Sequence, residues 1–455
     1  MAIQTINPAT NQVEKTFEEI SLENVFNIIE DVDNSFQYWK QTTFAERSLL
    51  MKNAAKLLRD NKYEYAKIIV TEMGKPITQA VSEVEKCAWV CDYYAENAEE
   101  FLQKEFVSTD ASESYIQFDP LGVIFAIMPW NFPFWQVFRF AAPSIMAGNA
   151  CILKHASNVP MCALTIEKIF EEADFPKNLF KSILISSAEV EEVINHPKVR
   201  AVTLTGSEYA GRQVAKYCGK LLKKSVMELG GSDPFIVLED ADIDAAVKTG
   251  VTARLINNGQ SCIAAKRFIV VEKIYDEFEK KFVDLMSKVK IGNPMDESTE
   301  LGPIAREDLL NELEFQVKKS VECGAIVLCG GNRINTKGFY FEPTVLTNVK
   351  RGMPAYDEEI FGPVASLIKV KNEDDAIEVA NDTKFGLGAS LWTRNIEKAK
   401  YYAGKIEAGS VFINGMVKSD PRLPFGGVKN SGYGRELSHY GIKEFVNIKT
   451  VWIKI

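Results

Sequence analysis

The chain has 455 residues, 46% hydrophobic and 25% charged, enough to bury a large core and to divide into two or three domains. Its 53 basic and 62 acidic residues give a net charge of −9 with no basic block, which argues against a nucleic-acid partner. Eight cysteines without a CxxC pair, alongside three histidines, leave little from which to build a zinc site and suit a reducing cytoplasm. The first twenty residues show no basic segment followed by an apolar run. No apolar stretch nears the roughly 20 residues that cross a bilayer, so neither a secretory leader nor a membrane span is expected.

In chain order, residues 21–105 read as helical, with apolar positions three and four apart in "ERSLLMKNAAKLLRDNKYEYAKIIVTEMG" and a stop at Gly74. After "QFDPLG" the pattern changes to short β-branched runs, "GVIFAIMPW", "ACILKHAS", "KSILIS" and "AVTLTGS", separated by helical segments, the signature of a parallel sheet. The first run enters "PWNFP", where two prolines stiffen a loop and present Asn131 at the carboxyl end of a strand; a turn cap is the plainer use of that residue. "TLTGSEYAG" joins a strand to a helix through Gly206, Ser207 and Gly211, whose free amides would favour a phosphate, although the spacing is neither a P-loop nor GxGxxG.

"VMELGGSDPFIV" follows. A carboxylate at Glu228 among apolar neighbours should hold its proton more tightly than usual, which suits a general base; a surface glutamate at a strand end is the alternative. A second α/β series starts after Gly230-Gly231 with "PFIVLED". Asp242 or Asp244 would cap the helix through "AAVKTGVTARLI". Gly259 can take the positive φ that ends it, so that "NNGQSC" turns Cys262 toward a cleft. A free cysteine is also common core filling. The chain closes on "FVNIKTVWIKI", a period-two strand that needs a sheet edge to pair with, in this chain or in another subunit.

Taken together these motifs resemble the aldehyde dehydrogenase superfamily over nearly the whole chain and in the family's order. "PWNF" is similar to the oxyanion asparagine motif, "ILKHAS" to the cofactor-lysine strand, "LTGS" to the phosphate turn, "MELGG" to the general-base glutamate and "GQSC" to the nucleophile. "EEIFGPV" resembles the segment whose Glu359 and Phe361 hold the nicotinamide ribose and ring, and "PFGGVKNSGYGRE" the segment near the family's carboxyl end.

The resemblance implies an α/β fold with two parallel-sheet domains and a small β oligomerisation element. Residues 1–105 and 124–228 would bind the cofactor, 229–418 would form the catalytic domain, and 106–123 with 419–455 would bridge subunits of a homodimer or homotetramer. It assigns Cys262 as nucleophile, Glu228 as base and Asn131, with the Cys262 N–H, as oxyanion donors. The thiolate would be favoured by the cofactor's positive charge, by local amides and by Glu228 as proton acceptor. Trp130, Lys154, Ser157, Gly206, Ser207, Glu359 and Phe361 would hold the cofactor. Ser157 stands where NAD-preferring members often carry glutamate, so NADP is allowed and NAD not excluded.

Among members, "LKHASNVP", "ELGGSDPFIV", "FINGMVKSD" and "GRELSHYGIKEF" are most similar to short bacterial succinate-semialdehyde dehydrogenases. That implies a substrate with a distal carboxylate, bound by Arg139, Ser419 and Arg422. Longer members carry a second arginine where this chain has Ile256, which leaves uncharged aliphatic or aromatic aldehydes open. A member acylating coenzyme A would lack Glu228, and a thiol hydrolase would need a histidine beside the cysteine, where His155, His196 and His439 match no such context.

Overall fold

The computed structural model describes residues 3–455; Met1 and Ala2 of the stretch read as leaderless lie outside it. An antiparallel hairpin, Ile3–Asn7 with Gln12–Phe17, precedes four helices, Leu22–Trp39, Phe44–Asp60, Lys62–Met73 and Ile77–Phe101. Gly74, at φ 74°, ends the third as expected.

These helices pack around a six-stranded sheet. Its spatial order is Gly432–Tyr433, Lys224–Glu228, Val199–Thr205, Val123–Met128, Ala150–His155 and Phe180–Ser182, parallel except for the first pair. From Val123–Met128 the chain winds to one side, then crosses to Val199–Thr205 on the other. At such a switch point the two following loops diverge and leave a crevice at the carboxyl ends of the strands. Trp130, Asn131, Gly206 and Ser207 stand in those two loops.

A second sheet has seven strands in the order Ile326–Cys329, Thr344–Thr347, Val364–Val370, Arg267–Val271, Pro234–Val237, Gly388–Trp392 and Ser410–Ile413. All pairs are parallel except the first. Its inner strands are buried on both faces, as helices on each side require. One apolar core lies around the first sheet and two on either side of the second.

The terminal strand Val446–Ile453 finds its edge in its own chain. It pairs with Glu113–Pro120, which pairs in turn with Glu105–Phe106, in a three-stranded antiparallel sheet.

Candidate active site

Asp242, not Asp244, caps the helix Ile243–Leu255, accepting from the Ala245 N–H at 3.1 Å. The helix ends four residues before Gly259 because Asn257 and Asn258 are left-handed as well, at φ 57° and 58°. Asparagine tolerates that conformation, and here both side chains fasten the turn. Asn257 Nδ2 donates to the carbonyls of Asn131 (2.7 Å) and Gln260 (2.9 Å), and Asn258 Nδ2 to those of Gly74 and Pro303. Lys266 closes the far side, donating to the carbonyls of Ser261 (2.9 Å) and Cys262 (2.7 Å). This cross-linked turn presents Cys262 at the junction of two cavities.

The first cavity, about 660 Å³, fills the switch-point crevice and is bordered by Trp130, Asn131, Gly206, Ser207, Glu359 and Phe361. Trp130 meets the Phe361 ring edge-on at 5.8 Å. Ser207 caps the helix Glu208–Lys220 and leaves that helix's opening amides toward the cavity. Glu359 accepts from the Gly231 N–H at 3.0 Å and pairs with Lys266 at 3.4 Å, so one lysine ties this carboxylate to the thiol's turn. A side chain at Gly230 would press on Glu359. Lys154 and Ser157 do not border the cavity. Lys154 stands next to the end of its strand, beside Ile127, and is buried, which pushes its ammonium pKa down; Ser157 is exposed beyond it.

The second cavity, about 630 Å³, reaches Cys262 from the other side, between the helices Ile77–Phe101 and Trp135–Met146 and the segment 416–419. Gln136 borders both cavities beside Cys262. It donates to Asn131 Oδ1 at 3.0 Å, which orients the Asn131 amide; Nδ2 then donates one hydrogen to the Gln260 carbonyl (3.0 Å) and keeps one free. The Cys262 N–H has no acceptor among the described residues. Two donors are thus available beside the sulfur. Burial pushes the thiol up to about 12, with Lys266 acting the other way, so the sulfur is a thiol until something lowers it.

Three of the expected residues stand in surroundings that the sequence did not show. Glu228 is buried and its pKa is raised, first by burial and then by Glu436, as its apolar neighbours imply. Its carboxylate borders neither cavity, however, and both oxygens lack a hydrogen-bond partner; it lies against Gly426, where a Cβ would come within 2.7 Å. Arg139 reaches the second cavity but is ion-paired with buried Glu436 and bonded to Thr205 Oγ1 at 3.3 Å. Arg422 points outward, paired with Asp420 at 2.7 Å, and borders neither cavity. Ser419 does line the second cavity and accepts from Lys86 Nζ at 2.7 Å.

Lys86, Gln136, Lys266 and Glu436 were not singled out from sequence. Lys266 stands four places after Cys262 and Gln136 five after Asn131, close enough to have been found by asking what holds each turn. Lys86 comes from a helix remote in sequence, and nothing local marks it.

Residues 1–451 match the family model described as the aldehyde dehydrogenase family. A probable NADP(+) succinate-semialdehyde dehydrogenase of Synechocystis is 52% identical over the full length of both chains. The NADP(+) succinate-semialdehyde dehydrogenase 1 of Mycobacterium tuberculosis is 50% identical, also over the full length of both. Among solved structures, the succinic semialdehyde dehydrogenase of Streptococcus pyogenes in complex with NADP+ superposes with a TM-score of 0.98 at 40% identity, covering all of both chains.

Proposed function

The chain belongs to the aldehyde dehydrogenase family, and on that premise we propose that it oxidises succinate semialdehyde to succinate with NADP, NAD being accepted as well. The observation that carries this reading is the position of Cys262 between two cavities of similar size, one suited to a cofactor and one to a substrate.

The first cavity suits a nicotinamide dinucleotide. Its phosphates would meet the amides after Gly206 and Ser207, its ribose Glu359, and its ring the aromatic pair Trp130 and Phe361. Gly230 leaves room that a methyl group would remove. Lys154, on the neighbouring strand Ala150–His155, and Ser157, just after it, would meet the adenosine ribose. A serine hydroxyl there does not repel a 2′-phosphate, which supports NADP. Bound there, the cofactor would supply a hydride acceptor for the substrate carbon.

The protein's own part begins at Cys262, whose sulfur adds to the aldehyde carbon to give a thiohemiacetal. Asn131 Nδ2 and the Cys262 N–H take the developing oxyanion. Loss of hydride leaves a thioester, which water hydrolyses to the acid. Glu228 serves as base only after rotating away from Gly426. In its apolar position burial makes the carboxyl hold a proton more tightly than usual; turned toward water that hold relaxes, and it can take a proton from the thiol or from the hydrolytic water.

Three variants test these roles. Cys262→Ala should show no oxidation, and Glu228→Gln a single burst of reduced cofactor without steady turnover. Asn131→Ala should lose about 100- to 1000-fold in kcat. Near-normal turnover by Cys262→Ala would overturn the reading.

No helix among the described residues is long and apolar enough to cross a membrane. Eight free cysteines support a reducing, cytoplasmic setting. Phe106, Ile448 and Trp452, exposed on the three-stranded sheet, support a homodimer or homotetramer formed through that face.

A further inference from the structure

A substrate with a distal carboxylate needs a cation inside the second cavity, and neither expected arginine is free to supply it. Arg139 already has Glu436 as its counter-ion and stacks on Phe425 at 4.7 Å, while Arg422 faces outward with Asp420. Lys86 differs from both. It is half-buried, and its accessible part borders the cavity that contains Cys262. Its ammonium donates to Ser419 Oγ at 2.7 Å and lies 4.2 Å from the centre of the Trp135 ring, so hydroxyl and ring face hold it in one place.

No carboxylate among the described residues lies within ion-pairing distance of Lys86. The nearby acids are taken. Glu83, one turn earlier on the same helix, is paired with Lys75, and Asp420 with Arg422. An ammonium withdrawn from bulk water without a counter-ion is costly and retains unused donors, which is the condition of a site completed by its ligand.

We propose that Lys86, held by Ser419 and Trp135, binds the distal carboxylate of the substrate and so sets specificity for the semialdehyde over uncharged aldehydes. This rests on the reading of the substrate given above and names the residue responsible for it. Lys86 is also pushed down to about 8, first by burial and then by Arg139 on the facing helix, with Cys87, Glu83 and Asp420 acting in the opposite direction. Lys418, Glu297 and Glu300 border the same cavity but are exposed to water. Carboxylate recognition should therefore weaken as pH rises through about 8, because only the protonated amine attracts an anion.

The test is the ratio of kcat/KM for succinate semialdehyde to that for butanal, which cancels whatever is common to both, the state of Cys262 included. In Lys86→Met the ratio should fall about 100-fold, mainly through KM for the semialdehyde. Lys86→Arg should restore most of it. In the wild type the ratio should fall from about pH 7 to about pH 9.5, and this decline should vanish in Lys86→Arg, whose side chain does not titrate there. A wild-type ratio near one at neutral pH would overturn the substrate reading and this proposal together. A high wild-type ratio kept in Lys86→Met would overturn this proposal alone. Should Lys86→Met not fold, the wild-type profile decides, a flat ratio counting against Lys86.

Discussion

Replacing Glu83 with glutamine should destabilise the protein far more than so small a change suggests. Glu83 and Lys75 form an ion pair with side chains 2% and 1% exposed. Lys75 also lies over the Phe132 ring at 4.0 Å, and Glu83 Oε1 accepts from the N–H groups of Phe134 (2.9 Å) and Trp135 (3.0 Å). The pair therefore pins the chain just after Asn131. In Glu83→Gln the amide keeps an acceptor for those N–H groups, but Lys75 loses its partner charge. It must then stay charged in an apolar site or give up its proton. Removing one member of a buried pair costs about 3–5 kcal/mol, a large part of the roughly 5–15 kcal/mol that holds a typical domain folded.

Thermal melts should show a fall on the order of 5 °C, and kcat should drop about tenfold as the oxyanion donor loses its fixed position. Adding Lys75→Met to Glu83→Gln removes the stranded charge and should recover most of the melting temperature. A single variant melting within about 1 °C of wild type would refute the reasoning.

Three other outcomes are expected. With the Cys262 thiol pushed up to about 12, alkylation of the cofactor-free enzyme by iodoacetamide should quicken about tenfold per pH unit through the alkaline range; a plateau near pH 8.5 would show an unperturbed thiol. Ser157→Glu should lower kcat/KM for NADP at least about tenfold relative to NAD, since a carboxylate would repel the 2′-phosphate; an unchanged ratio would detach Ser157 from the adenosine ribose. Gly230→Ala crowds Glu359 and should raise KM for NADP about tenfold, whereas an unchanged KM in cofactor titrations would remove Glu359 from that site.

Much of the chemistry was legible where it depends on contiguous residues. "PWNFP", "LTGS" and "GQSC" each place a chemical group directly after a strand or helix end, and the turn that presents it is encoded in the same few residues. The strands Thr344–Thr347, Val364–Val370, Gly388–Trp392 and Ser410–Ile413 were not named in the reading of the sequence. Three of them are largely buried on both faces and the fourth, Ser410–Ile413, is half-buried throughout, so they carry little of the alternation that marks an exposed strand.

Charge partnerships were beyond local reading. Arg139 was expected as a substrate cation through the family resemblance; Glu436, which neutralises it, arrives from nearly three hundred residues away. Lys86 looked like one more lysine on an amphipathic helix, and only packing against Trp135 and Ser419 separates it from the rest. Glu228 could be recognised as a buried acid from its neighbours, yet not that it rests against Gly426 with both oxygens unpartnered. The sequence determined which reactive groups exist and which local turns display them, because backbone preferences and hydrophobic periodicity act over a few residues. Which of the buried charges are neutralised and which still await a partner was decided by the tertiary structure alone, because desolvation and ion pairing depend on whatever the fold brings within a few ångströms.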